Sequence, residues 1–235
     1  MEKTRRDLVR GARHGIPIML GYLSVSFGFG IFAVSSGLSP FVATLISAVN
    51  LTSAGQFAGV TVIAAAGTLI ELVLTQLVIN ARYALMSLSL SQKLDPSFSF
   101  GHRCLAAFGM TDEIFAVAAS QPYPVTPAYM YGLILVSMAG WTGGTVLGAV
   151  AGKLLPAFIV SAMGILLYGM FIAIVLPPAK KNRRILFVAG VAALCSVVFY
   201  YLVPALSSGF AVIISAVVAA AFGAWLFPSE SEGRV

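Results

Sequence analysis

Between Pro40 and Ala66 the chain is apolar over a length that would cross a bilayer, yet Asn50-Leu51-Thr52-Ser53-Ala54-Gly55-Gln56 stands at its middle. Hydrocarbon offers no hydrogen bonds, so a polar cluster at that depth needs protein partners, a water-filled cavity or a ligand. Ser53 and Gln56 have the Ser-x-x-Gln spacing of a capping box, in which hydroxyl and amide satisfy backbone donors at a helix start. The spacing predicts a helix that breaks and restarts inside the membrane. The competing reading is a continuous helix whose Ser, Thr and Gly residues let neighbours approach closely.

Composition identifies the solvent as lipid. Of 235 residues, 59% are hydrophobic and 9% charged, and the mean hydropathy is +0.97. At about 20 residues per span, such a chain holds about seven or eight apolar segments and leaves little for a soluble domain. The expected fold is an all-α polytopic membrane protein, a single membrane domain over residues 1–235 built as a compact helical bundle. The basic residues behind the formal charge of +6 sit at segment ends, where they orient the chain in the lipid bilayer rather than bind nucleic acid. Cys104 and Cys195 lie in apolar segments without metal-ligand spacing, so no metal centre, disulfide framework or cofactor is indicated.

A basic, cytoplasmic N-terminal segment, residues 1–14, precedes a first span from Ile16 to Ser36. The third span, Leu69 to Ser91, is unusually polar. Gln76, Asn80, Tyr83 and Ser87 share one helical face, and Glu71, Thr75 and Arg82 share a second. A mid-membrane arginine costs roughly 3 kcal/mol even on the lenient insertion scale, so Arg82 needs a partner or water. A fourth span, Arg103 to Ser120, carries Asp112-Glu113, whose side chains point about 100° apart. One carboxylate is expected to pair with Arg82 and the other to face a cavity as a proton-coupling group. The structural alternatives are a salt-bridge strut and a solvated pair near the interface. Further spans are expected at Ala128 to Ala151, Ala157 to Leu176, Ile185 to Leu202 and Leu206 to Phe227.

A shift of 116 positions lays Gly28, Ala33, Val34, Leu38 and Pro40 onto Gly144, Ala149, Val150, Leu154 and Pro156. Repeat halves 15–92 and 127–204 follow. If Pro40 to Ala66 and Pro156 to Leu176 each enter and leave on one side, the N-terminus, the Lys93 to Arg103 loop, Lys153 and the Lys180 to Arg184 cluster all become cytoplasmic, as the positive-inside rule asks. The turns at Gly37 and at Gln121 to Pro127 then fall outside. The halves would be inverted repeats with broken or re-entrant helices, the plan of many secondary transporters.

Three segments carry a resemblance. Ala54-Gly55-Gln56-Phe57, Asn80-Ala81-Arg82-Tyr83-Ala84-Leu85-Met86 and Asp112-Glu113-Ile114-Phe115-Ala116 resemble, in that order, the signatures of AzlC-type branched-chain amino acid permeases, with Ser53 where that family usually has glycine. The resemblance covers most of Ile16 to Ser120. It implies export of branched-chain or similar small apolar amino acids across the inner membrane, usually with a small AzlD-type membrane subunit.

The residues themselves offer a site for such a ligand. Asn50, Ser53, Gly55, Gln56, Phe57, Asn80 and Tyr83 are the candidate substrate-binding residues. Backbone N–H groups at the helix restart would take the carboxylate, and Phe27 and Phe57 would receive the side chain. Glu71, Arg82, Asp112 and Glu113 are the candidates for charge or proton coupling. The alternatives are a channel-like or structural membrane subunit, or a transporter of another small metabolite. Neither a His-Glu-x-x-His zinc motif nor a Gly-x-Ser-x-Gly elbow is present in the sequence, so an enzyme is not expected.

Overall fold

The computed structural model describes residues 2–152, 156, 158, 172, 179–180, 182–203 and 206–227. Among them the regular elements are helices: α1 (Glu2–Ser35), α2 (Pro40–Val49), α3 (Ala54–Ala64), α4 (Leu69–Ser91), α5 (Phe100–Phe108), α6 (Asp112–Ala119), α7 (Pro127–Ala151), α8 (Arg183–Leu202) and α9 (Ser208–Leu226). Five of these described helices, α1, α4, α7, α8 and α9, are long and apolar enough to cross a membrane. The chain is a polytopic helical membrane protein. The expected span at Ala157 to Leu176, the re-entrant counterpart assigned to Pro156 to Leu176, and Lys153 lie almost wholly outside the described residues.

The chain forms two compact units, one of residues 1–60 and 79–164, the other of 61–78 and 165–235. The first is organised on α1 and α7. α1 has 34 residues, about 51 Å at 1.5 Å per residue, so residues 2–14 of the basic segment lie on the same helix as the expected first span. Small residues bring the two backbones together. A Cβ on Gly148 would stand 2.0 Å from the Phe27 carbonyl oxygen, and one on Gly132 would stand 2.1 Å from that of Leu8. The same close approach joins Gly11 to Tyr129 and Gly144 to Leu23. Contacts that ascend together in both helices mean that α1 and α7 run parallel.

This direction corrects the inverted arrangement drawn from the 116-residue shift, because the two helices it relates start at the same end. The turn at Gln121 to Pro127, expected opposite the N-terminus, lies beside it. Thr126 Oγ1 donates to Asp7 Oδ2 at 3.0 Å, and Lys3, Asp7, Asp95, His102 and Thr126 line one cavity at that end. Ser97 donates from its hydroxyl (2.6 Å) and its backbone N–H (2.9 Å) to Asp95 there. These bonds hold the Asp95 carboxyl below its ordinary range.

The cause is the segment expected as a fourth span. It is two short helices, α5 and α6, separated by Gly109, Met110 and Thr111. Their flanks are tied together: Asp95 N–H donates to the Val125 carbonyl at 2.9 Å, Val125 N–H to the Lys93 carbonyl at 3.0 Å, and Lys93 Nζ donates to the Ala119 carbonyl. A segment with both ends at one place folds back. The buried core of this unit gathers around the turn, with Tyr22, Met110, Ile114, Met130, Leu133 and Trp141 among its members.

In the second unit, α8 and α9 are joined by a Ser196–Ser215 hydrogen bond of 3.3 Å. Glu71, only 3% exposed, serves the start of α9. Its Oε1 accepts from Ser207 Oγ at 2.6 Å and from Gly209 N–H at 2.9 Å. A carboxylate at a helix start satisfies free backbone donors and the positive end of the dipole.

Candidate functional site

The polar cluster at Asn50 is a helix break. Ser39 caps α2 by accepting from Val42 N–H at 3.2 Å, and Pro40 follows at the first helical position, where its missing N–H costs nothing. α2 stops at Asn50, whose backbone is extended and whose Oδ1 accepts from Thr52 N–H at 3.1 Å. Ser53 then takes φ +35°, and α3 begins at Ala54. The restart is present, but the expected Ser53–Gln56 capping box is not formed. Ser53 lies in the left-handed region rather than the extended one of a capping residue, and the Gln56 carboxamide is engaged elsewhere.

Gln56 is 1% exposed. Its Oε1 accepts from Trp141 Nε1 at 2.8 Å, and its Nε2 donates to Ser47 Oγ at 3.2 Å. Ser47 Oγ lies 2.7 Å from Thr145 Oγ1, which donates to the Trp141 carbonyl at 3.0 Å. Each hydroxyl thus gives one proton and takes one, and the network closes without an orphan among these four side chains. Residues nine apart on a straight helix would be separated by about 13.5 Å, so the Gln56–Ser47 bond requires the chain to fold back around the break. Phe57 confirms the direction. It packs on Phe29 and Phe32, with ring centroids 5.1 and 5.2 Å apart, toward the end of α1 from which α2 entered.

A second polar group stands on the other side of Trp141. The Tyr22 and Trp141 rings meet edge to face at 5.2 Å. The Tyr22 hydroxyl lies 2.6 Å from both Glu113 Oε2 and Thr111 Oγ1. Its proton serves the carboxylate, and the Thr111 hydroxyl returns a proton to the phenol oxygen. Thr111 also caps α6, accepting from Ile114 N–H at 3.3 Å. Asp112, next in the chain, pairs through Oδ2 with Arg82, while Arg82 lies over the Tyr83 ring at 5.0 Å and donates to its hydroxyl at 3.3 Å. Two hairpins, α2–α3 and α5–α6, therefore bring their turns from opposite ends to the middle of the α1–α7 pair.

The structure brings Gln56 and Phe57 into the unit's interior and groups Arg82, Tyr83, Asp112 and Glu113 around the α5–α6 turn. Asn50, Ser53 and Gly55 form the α2–α3 turn, and Asn80 is half-buried on α4 one turn before Tyr83. Glu71 belongs to the second unit and serves α9. Sequence reasoning missed Ser47, Tyr22, Thr111, Trp141 and Thr145. Trp141 and Thr145, four apart in a glycine-rich helix, carried a signal: a buried indole N–H needs a partner.

The family model described as AzlC protein matches residues 17–155. An uncharacterized membrane protein of Archaeoglobus fulgidus is 32% identical over 183 residues, covering 77% of this chain and 80% of that one. Inner membrane protein YgaZ of Escherichia coli is 28% identical over 209 residues, 86% and 85% of the two chains. Branched-chain amino acid transport protein AzlC of Bacillus subtilis is 25% identical over 173 residues, 72% and 66% of the two. No solved structure matches. The matched residues contain both hairpins, α7, the second half of α1 and the buried polar network, and by this match the chain belongs to the AzlC family of membrane proteins.

Proposed function

We propose that the protein is a secondary transporter that exports branched-chain or similar small apolar amino acids across the inner membrane. The observation that carries this reading is the path Ser47–Gln56–Trp141–Tyr22–Glu113, buried from Ser47 to Tyr22 and ending on the exposed Glu113, which joins one helix break to the other. Interhelical hydrogen bonds of this kind hold a membrane bundle together; here they converge on two helix breaks, the feature with which discontinuous-helix transporters bind substrate at mid-depth. The name of the Bacillus subtilis relative agrees with the ligand class.

In this reading the substrate carboxylate is received at the α2–α3 turn by Asn50, Ser53 and the start of α3, where backbone N–H groups and the helix dipole favour an anion. Gln56 and Trp141 fix the turn's shape. Glu113 at the opposite turn receives the ammonium group, and Phe57 with neighbouring aliphatic residues takes the side chain at about 0.8 kcal/mol per buried CH₂. Asp112 and Arg82 exchange partners as the α5–α6 hairpin moves, with a proton as the coupling ion, and Asn80 and Tyr83 line the route. Glu71 is the second unit's candidate for charge coupling. A small AzlD-type membrane subunit assists. The N-terminus is cytoplasmic, because the basic residues of α1 and of the Lys93 to Arg103 loop share one end.

The test is an efflux assay in cells overloaded with branched-chain dipeptides, with and without a candidate small subunit. Expression should lower internal valine and leucine. Unchanged pools in both settings would remove the substrate class.

A further inference from the structure

From the end where the basic residues gather toward the α5–α6 turn, a cavity of about 230 Å³ opens between the last turns of α4 and the length of α5 from Arg103 onward. Leu90, Leu94, Ala106 and Met110 make its walls, and Arg103 stands among its lining residues. Arg103 is exposed and, among the described residues, forms no ion pair with a carboxylate. An unpaired guanidinium beside an apolar cavity at a membrane boundary is complementary to a molecule with an anionic head and a hydrocarbon body.

The lining distinguishes between two sources of that chemistry. A zwitterionic amino acid would bring an ammonium group, and the cavity offers it no carboxylate. Its polar side chains besides Arg103 are Ser87 and Ser91, and the Ser91 hydroxyl already donates to the Leu88 carbonyl at 2.6 Å. An acyl chain needs no polar partner. We infer that this cavity is a binding site for an anionic phospholipid of the surrounding leaflet, with the phosphate on Arg103 and part of one acyl chain between α4 and α5. The site is separate from the polar path of the transport reading and does not depend on it. A lipid seated there packs against Met110 and the α5–α6 turn.

Native mass spectrometry of the full-length protein, purified from membranes and exposed to equal amounts of phosphatidylglycerol and phosphatidylcholine, reads this directly. The wild-type chain should retain phosphatidylglycerol preferentially. Arg103→Gln should reduce that preference about tenfold, the effect of losing one charge-assisted contact. Arg103→Lys should keep most of it, and Ala107→Phe, which fills the cavity from its rim, should lower retention with Arg103 intact. Equal retention of the two lipids by the wild type, or an unchanged preference in Arg103→Gln, overturns the proposal. Displacement of the lipid by inorganic phosphate also overturns it, since the site would then hold a small anion. Gel filtration and circular dichroism of each variant establish that it is folded, and a misfolded Arg103→Gln leaves Arg103→Lys and Ala107→Phe to decide.

Discussion

Trp141 on α7 donates its indole N–H to Oε1 of Gln56, 2.8 Å away, and so ties the turn of one membrane hairpin to a helix that spans the unit. The bond is wholly buried on both sides: Trp141 and Gln56 are each 1% exposed. Replacing one partner leaves the other unsatisfied at a cost of about 1–3 kcal/mol. Trp141→Phe should therefore lower thermal stability in detergent. The double variant Trp141→Phe with Gln56→Leu removes both polar groups and should recover part of the loss without recovering transport. A thermal-shift series of the two singles and the double measures this coupling; additive losses would show that the bond contributes nothing.

Close approach of α1 and α7 rests on positions without a side chain. A Cβ at Gly148 would meet the Phe27 carbonyl at 2.0 Å, whereas one at Gly143 meets nothing within 4 Å. Gly148→Val should abolish monodisperse protein on gel filtration, because backbone cannot yield as a flexible side chain can. Gly143→Ala, on the same helix, should behave as wild type.

The Arg82–Asp112 pair links α4 to the first residue of α6. Asp112→Asn leaves the arginine unpaired inside the membrane and should reduce the yield of folded protein. The exchange Arg82→Asp with Asp112→Arg should restore yield if pairing is what matters. Expression monitored by fluorescence-detected gel filtration distinguishes the outcomes, and equal yields of the single and exchanged variants would refute the pairing role.

Topology gives a separate prediction. In a background lacking Cys104 and Cys195, single cysteines at Thr4 and Gln121 should label from the same side of sealed vesicles. A cysteine at Gly37 should label from the other. Gln121 labelling together with Gly37 would restore Phe100 to Ala119 as a full crossing.

Much of this fold was readable from the chain. Apolar length placed α4, α7, α8 and α9 to within a few residues, since lipid leaves helices little choice. The polar cluster at Asn50 marked a real break. What escaped was direction. Arg103 to Ser120 has the length of a span, and only the pairing of its flanks through Asp95 and Val125 reveals that it turns back. That single hairpin starts α7 at the same end as α1, where a full crossing had implied inversion. The capping box failed for a related reason: spacing shows which bond is available, while Trp141, 85 residues away, decides which one forms. Tyr22 and Ser47 were hidden because each stands alone among apolar or glycine neighbours, Thr111 was overshadowed by Asp112-Glu113 beside it, and Trp141 and Thr145 showed only that an indole N–H needs a partner, not which one. Their meaning appears only when the helices meet.

The most direct test of the transport account is efflux of labelled leucine from vesicles containing wild-type protein or Gln56→Ala. Asn80→Ala serves as a second variant on the same route. The account predicts saturable efflux by the wild type and its loss in Gln56→Ala, with the variant still folded by circular dichroism. Wild-type efflux from folded Gln56→Ala would contradict it.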